Sequence, residues 1–545
     1  MKKILTGLFI VFASLLFVSC EKDLDTKPIN ASDFTSEKAY DKTKSSYVKG
    51  LAKIYYNFAN TSDLDVDDGG ASELIRAFWS LQELSADGAK CAWASDDWVA
   101  DIDMNTWSSS ENAATYAVYA RTIQGITFVN EFLKQTTDSK LEGRGCDATV
   151  VSQVHSMRNE ARFCRAYFYW MAMDIFGDVP FITEDSPFGT ENPKQAKRTD
   201  ICAYVISELK ELASSPDTPA AKSNYPRADK GSVLGLLARV YLNAGVYTGS
   251  ETDAEGNKYM LLCKNTCEDI FGLGYSLCSK YADLFRGDNG ENPDALNEIM
   301  FAVSYDHLKT QSYGGTSYLA FSAIASTDDY NTLMGINNGW GGNRVPYEYV
   351  ADYFNVKNQD YGTGAYTIND DRGHLFYIKD RSQSMADLYT FSNGWSLFKF
   401  NNIPHNMTGA EYADQAKSCA YSNVDFPAIR LGEIYLIYAE ACLDLNSDMD
   451  KAVTKLNLLR SRSHASVIET YDLNYLIAER ARELMWEADR RTDLIRWGLF
   501  NSGTFLWKWK GGSYDGQAFN SHMLIFAIPP TELVSNTDLY QNPGY

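Results

Sequence analysis

The run from Glu160 to Pro180 constrains the fold more than any other part of the chain. Phe163, Ala166, Tyr167, Trp170 and Met171 recur at i, i+3, i+4, i+7 and i+8, which lays out one apolar face of an α-helix. Gly177 can adopt the left-handed conformation that ends a helix, and Pro180 bars its continuation. The face is unusually aromatic and is flanked by Arg162 and Arg165. Such a helix finds its place in the core of an all-α protein, packed against other helices.

Similar signals recur along the chain. Glu37 to Phe58 reads as a helix carrying Tyr40, Tyr47, Leu51, Ile54 and Tyr55, and Leu74 to Leu84 as a shorter one. Ala113 to Lys134 and Asp200 to Ala213 follow, and Asp229 is placed to cap a helix with Val233, Leu236, Leu237, Val240 and Tyr241 on one face. Ile434, Ile437, Tyr438, Ala441 and Cys442 mark another, paired with Met449 to Ser461 across a short turn. Asp472 to Trp497 reads as one long helix ending at Gly498. No strict 34-residue repeat is present, yet repeated helix pairs predict a TPR-like α-solenoid, an architecture that can carry 545 residues around a continuous core. Between Phe285 and Tyr421 the helical period fades into Gly, Asn, Asp and aromatic residues. An irregular stretch this long within an ordered fold is usually functional.

The chain opens on Met1-Lys-Lys and an apolar run from Ile4 to Val18, the pattern of a secretory signal and shorter than the roughly 20 residues of a membrane span. Ser19-Cys20 follows directly and resembles a bacterial lipobox, which makes Cys20 the expected lipidation site; Phe17 departs from the usual Leu. The net charge of -21 argues against nucleic acid and anionic lipid surfaces as partners. Nine cysteines remain after Cys20, an odd number that argues against a complete disulfide framework, although Cys263, Cys267 and Cys278 lie close enough in sequence to pair. No spacing suits zinc. Asp63 to Gly70 misses the pattern of a calcium loop, with its Gly one place late and no Glu at the twelfth position.

Glu160-Ala-Arg-Phe-Cys-Arg-Ala-Tyr-Phe-Tyr-Trp leading to Phe176-Gly-Asp-Val-Pro resembles the signature helix of the SusD/RagB family of outer-membrane nutrient-binding lipoproteins. Ile429 to Ala441 resembles its second signature helix, Glu479 to Gly498 its third, and Gln541-Asn-Pro-Gly-Tyr545 its C-terminal ending. Four separated motifs in order, behind a lipobox, are specific. Tyr241 to Gly249, Ser312 to Gly315, Asn338 to Trp340 and Leu506 to Gly512 resemble phrases of the family's founding, starch-binding member. The acidic Glu21 to Asp25 resembles the tract that directs such lipoproteins to the cell surface.

The resemblance implies a signal peptide over 1–19, a helical N-terminal region over 20–240 and a C-terminal region over 241–545, with a ligand-binding insertion at about 285–421. It also implies an outward-facing, lipid-anchored protein of the outer membrane that binds α-glucan and partners a SusC-type TonB-dependent transporter. Matched residue by residue, Trp93, Tyr313 and Trp340 stand at positions of an aromatic arc that follows a helical glucan, and Asp96 at a polar sugar-contacting position. Cys91 stands where the arc has a further Trp, so a smaller arc is expected. Sugar rings offer C–H faces to aromatic planes and hydroxyls to polar neighbours, and loop tryptophans among Asp and Asn supply both. Capture of another oligosaccharide or nutrient is the alternative.

A glycoside hydrolase would need two carboxylates about 5–10 Å apart, which sequence cannot locate. No nucleophile elbow, phosphate loop or HExxH is present, and the family is non-enzymatic. A protein-binding scaffold would account for the helices but not for the aromatic insertion. No cofactor is expected: Asp288 and Asp425 stand near an acidic cluster of the starch-binding relative, but Gly290 and Asn423 interrupt it, so calcium is not assigned.

Overall fold

The computed structural model describes residues 36–62, 64, 70–93, 97–187 and 192–545. Cys20, Asp96 and most of the acidic 63–70 loop lie outside them. Helix carries the fold, and the strands are short pairs. The mainly α expectation holds.

Helix α1 (Lys44–Ala59) lies against the later signature helix, with Phe58 stacked on Phe168 at 4.4 Å. The predicted Glu37–Phe58 helix is broken at residues 40–43, where the Asp41 carboxylate takes the backbone and hydroxyl of Thr43. Helix α2 (Leu74–Trp79) runs into a π-helical turn, Ser80–Leu84, and β1 (Lys90–Cys91) follows. Next come α3 (Ala113–Gln135) and α4 (Ala148–Phe176), the signature helix.

Asp147 caps α4 by accepting from Val150, and Gly177 closes it at φ +75°. Every residue from Phe163 to Phe176 is buried, so the helix is enclosed on all sides. Its polar residues have partners there. Arg165 donates to Asn130 Oδ1 at 2.7 Å, and Asp174 accepts from Gln82 and Tyr247, each at 2.8 Å.

Helices α5 (Arg198–Ser214), α6 (Lys230–Thr248) and α7 (Tyr259–Phe271) stack in order against α4 and one another. Asp229 and Ser232 form a reciprocal capping box at the start of α6. The insertion then leaves the stack. It contains β2 (Ile299–Val303), α8 (Gly315–Phe321) and β3 (Asn343–Arg344), and returns through β4 (Phe426–Arg430).

β2 and β4 pair antiparallel, Phe426 opposite Val303 and Arg430 opposite Ile299, so the insertion departs and re-enters at one place. Helix α9 (Leu431–Leu445) packs directly on α7, continuing the stack across the excursion, and α10 (Met449–Arg462) completes the expected hairpin.

The predicted Asp472–Trp497 helix is instead two, α11 (Leu473–Glu483) and α12 (Arg490–Arg496). Trp486 and Ala488 between them take positive φ, +62° and +68°. Tertiary contacts hold this break open. Trp486 sits edge-on to Trp79 at 5.3 Å and donates to the Gly88 carbonyl at 3.0 Å, and Ala488 N donates to Glu83 at 2.8 Å.

All nine described cysteines are free thiols. Cys263 and Cys267 lie one turn apart on α7, and Cys278 Sγ turns to the Lys280 carbonyl at 3.3 Å, so the local pairing open to them in sequence is not made. Among the described residues no helix is long and apolar enough to cross a membrane.

Candidate functional site: an aromatic platform

Two short strands set the site. β1 pairs antiparallel with β3, Lys90 opposite Arg344 and Cys91 opposite Asn343, and Ala92 N extends the ladder to the Gly342 carbonyl at 3.0 Å. Trp93 follows one strand and Trp340 precedes the other, so the ladder delivers both to the same end. The Trp93 indole lies on the backbone of Gly342. A Cβ there, at φ +114°, would come 2.4 Å from Trp93 Nε1, and glycine is the residue that leaves room.

Trp93 meets Tyr318 edge-on at 5.7 Å, and the Arg76 guanidinium lies 5.6 Å from the Trp93 ring and 4.4 Å from that of Tyr318. Trp340 is pinned through its amide to the Phe321 carbonyl at 2.9 Å, with its ring 4.9 Å from Phe321. Tyr313 meets Trp340 at 5.8 Å with the planes 69° apart, and it lies 5.1 Å from Tyr421. It is 46% exposed, whereas Trp93 and Trp340 are half-buried.

The structure therefore brings the three predicted rings together. Tyr313 and Trp340 touch, and Trp93 joins through Gly342, two residues from Trp340. Of the three tryptophans in the 85–110 stretch only Trp93 stays accessible, since Trp98 and Trp107 are core. Cys91 is buried within β1, where its thiol is pushed up to about 12 by burial, and contributes nothing to the surface.

Sequence reasoning missed Tyr421 and Phe391. The exposed Phe391 ring lies over Gly341, where a Cβ would come within 2.9 Å of it. Both are aromatics in the insertion, but nothing in their spacing separates them from packed neighbours. Arg381 adds a polar edge, donating to the Phe391 carbonyl at 2.9 Å and lying 3.6 Å from Asp328.

The ionisable residues of the signature helices are scaffold, as their pairing with neighbouring helices and loops implies. Arg227 Nε donates to Glu160 at 2.8 Å, Arg162 to Glu208 at 2.8 Å and Arg480 to Asp493 at 2.6 Å. The acids weighed for calcium make protein hydrogen bonds. Asp425 accepts from Tyr305 N and Tyr225 Oη, each at 2.8 Å, and Asp288 from His405 N at 2.9 Å. Among the described residues no group of three His, Cys, Asp or Glu side chains is placed to share a metal ion.

A stack of paired helices extrudes one long insertion, and Tyr313 and Trp340 on it gather beside Trp93 of the β1 arm. The chain belongs to the SusD family. Residues 297–545 match the model described as SusD family, and residues 76–242 match one described as starch-binding associating with outer membrane.

The starch-binding protein SusD of Bacteroides thetaiotaomicron is 30% identical over 100% of this chain and 99% of its own length. A SusD-like protein of Bacteroides ovatus is 22% identical over 90% of this chain and 82% of its own. The fold is shared with a SusD superfamily protein of Parabacteroides distasonis, at TM-score 0.68 and 20% identity over 94% of this chain and 100% of that one. Surface glycan-binding protein A of Bacteroides thetaiotaomicron, solved in complex with laminarihexaose, has TM-score 0.68 and 17% identity over 91% and 99%.

Proposed function

We propose that this chain is a cell-surface glycan-binding lipoprotein that captures starch-type oligosaccharides without cleaving them and delivers them to a SusC-type TonB-dependent transporter. The contact of Tyr313 with Trp340, extended to Trp93 through Gly342, carries the reading. The Tyr313 and Trp340 planes stand 69° apart, so the two rings do not form one flat face of the kind a flat β-linked chain would lie on. The full-length likeness to a starch-binding protein points the same way. Cys91 supplies no ring at its position while Tyr421 and Phe391 add rings elsewhere, and this different arrangement favours capture of a different oligosaccharide as the second reading.

Titration of the purified protein with maltoheptaose, a cyclic α-glucan, laminarihexaose and cellohexaose tests it. The linear and cyclic α-glucans are expected to bind at least about tenfold tighter than cellohexaose, and the chain-length distribution of maltoheptaose is expected to stay unchanged on incubation. Equal binding of β-linked chains would overturn the starch assignment. Sustained release of reducing ends, lost on carboxylate substitution, would establish a hydrolase instead.

Anchoring is proposed through Cys20, and the transporter partnership rests on the family. Cys20→Ala is expected to release the protein from the outer-membrane fraction, while the wild type co-purifies in mild detergent with a TonB-dependent β-barrel in near-equal amount. Unchanged fractionation of the variant overturns the first, and consistent absence of the barrel the second.

A further inference from the structure

Glu73 is wholly buried beneath the platform and joins its parts. Its Oε2 caps α2 by accepting from Arg76 N at 2.6 Å and also accepts from Gly315 N at 2.8 Å, while Oε1 accepts from the Tyr305 hydroxyl at 2.6 Å. One carboxylate thus ties the first turn of α2 to the first turn of α8, the helix into which Tyr313 leads. The fit leaves no slack. A Cβ on Gly314 would lie 2.4 Å from Glu73 Cβ, and one on Gly315, at φ +50°, 2.0 Å from Tyr305 Oη. Helix α2 also carries Arg76, whose guanidinium lies 4.4 Å from the Tyr318 ring and 5.6 Å from that of Trp93. Both arms of the platform therefore rest on α2, and Glu73 fastens the Tyr313 arm to it.

We propose that Glu73 is a positioning residue whose ionised carboxylate holds Tyr313 in register with Trp340, so that glycan affinity follows the protonation of Glu73. This deepens, and rests on, the glycan-binding reading above. A carboxylate can serve all three donors at once. A proton on Oε1 faces the Tyr305 hydroxyl, which must then turn its own hydrogen elsewhere, and the neutral Oε2 holds Arg76 N and Gly315 N more weakly.

Burial pushes the Glu73 carboxyl up to about 7 against the pull of Tyr305, the two amides and Arg121, so the change falls near neutral pH. The titratable and charged groups around it are Tyr305 after β2, Arg121 on α3 and Arg76 on α2. Asp425 lies beyond Tyr305 and takes its amide at 2.8 Å; burial pushes the Asp425 carboxyl up to about 6, so only substitution of Glu73 assigns the effect.

The experiment measures maltoheptaose affinity from pH 5.5 to 8.5 for the wild type, Glu73→Gln and Tyr305→Phe. In parallel, hydrogen-exchange protection of the 313–316 backbone is followed without ligand and corrected for intrinsic rate. The wild type is expected to lose about fivefold or more in affinity, and protection at 313–316, as pH falls through 7. Glu73→Gln, a neutral isostere, is expected to show neither change. Tyr305→Phe, which removes one donor to the carboxylate, is expected to move the midpoint to higher pH, and it decides the matter should Glu73→Gln fail to fold.

A wild-type profile that is flat, or one retained in Glu73→Gln, overturns the proposal. If maltoheptaose does not bind the wild type, the glycan reading fails on its own, and the exchange data still decide whether Glu73 holds the Tyr313 arm.

Discussion

Replacing Trp340 by alanine is expected to weaken maltooligosaccharide binding about tenfold to hundredfold, the loss of roughly 1–3 kcal/mol from one stacking ring at the centre of a small platform. Tyr313 meets Trp340, so removal of the indole leaves Tyr313 without its neighbour at 5.8 Å. The ring also packs on Phe321 at 4.9 Å, and a half-buried indole cannot be removed without a structural cost of about 1–2 kcal/mol. Tyr313→Ala separates the two effects. That ring is 46% exposed, so the variant is expected to lose affinity with little change in Tm. Calorimetric titration and thermal melts of both variants check this. Wild-type affinity in Tyr313→Ala and Trp340→Ala would remove the platform from the binding mechanism.

The second large effect is expected far from the platform. Glu483 is fully buried among three guanidiniums: Arg430 at 2.7 Å, Arg372 at 2.8 Å and Arg462 in closer contact still. Arg430 continues the network to Glu298 at 2.9 Å and Glu487 at 2.6 Å, and Arg372 to Glu479 at 2.9 Å. The hub joins β4, α10 and α11 to the short 3-10 helix Asp371–Leu375 within the insertion. Glu483→Ala leaves buried positive charge without its counter-ion and is expected to cost on the order of 3–5 kcal/mol, read as a drop in Tm and in denaturation midpoint. A change under about 1 kcal/mol would show that the hub rearranges around the loss.

The same hub predicts a pH dependence. Burial alone raises the Glu483 carboxyl, but Arg462, Arg430 and Arg372 outweigh it and hold the group well below its ordinary 4.5, and Glu479 is lowered to about 2 by the same balance. A carboxyl whose folded value lies below its unfolded one contributes its full stability above the unfolded value, and the contribution is lost as pH falls toward the folded one. The stability gap between wild type and Glu483→Gln is therefore expected to be constant above about pH 5 and to narrow between about pH 4.5 and 2. Thermal melts across that range check it, and a gap that widens on acidification would reverse the assigned sign.

What the sequence determined by itself was the helical framework and its company. Phe163 to Met171 announced a core helix because a 3.6-residue period is a local property, and Asp229 and Gly177 marked ends because capping and left-handed turns act within a few residues. The family was legible for the same reason, since its motifs are contiguous words. Which arginines and glutamates of those helices pair was not readable, because partners such as Arg227 and Glu160 stand far apart in the chain.

The tertiary structure alone decided features that depend on residues far apart. The 484–489 break keeps an apolar pattern that reads as helix; Trp79, Gly88 and Glu83, some 400 positions earlier, hold it open. Trp93 becomes part of the platform because Gly342 gives its indole a floor, whereas Trp98 and Trp107, written in the same stretch, are consumed by the core. Glu73 resembles any polar residue before a short helix until Gly314 and Gly315 are placed against it. Local periodicity fixes which segments coil, but the burial of a ring or a carboxylate depends on what packs over it, and that is set only when distant segments meet.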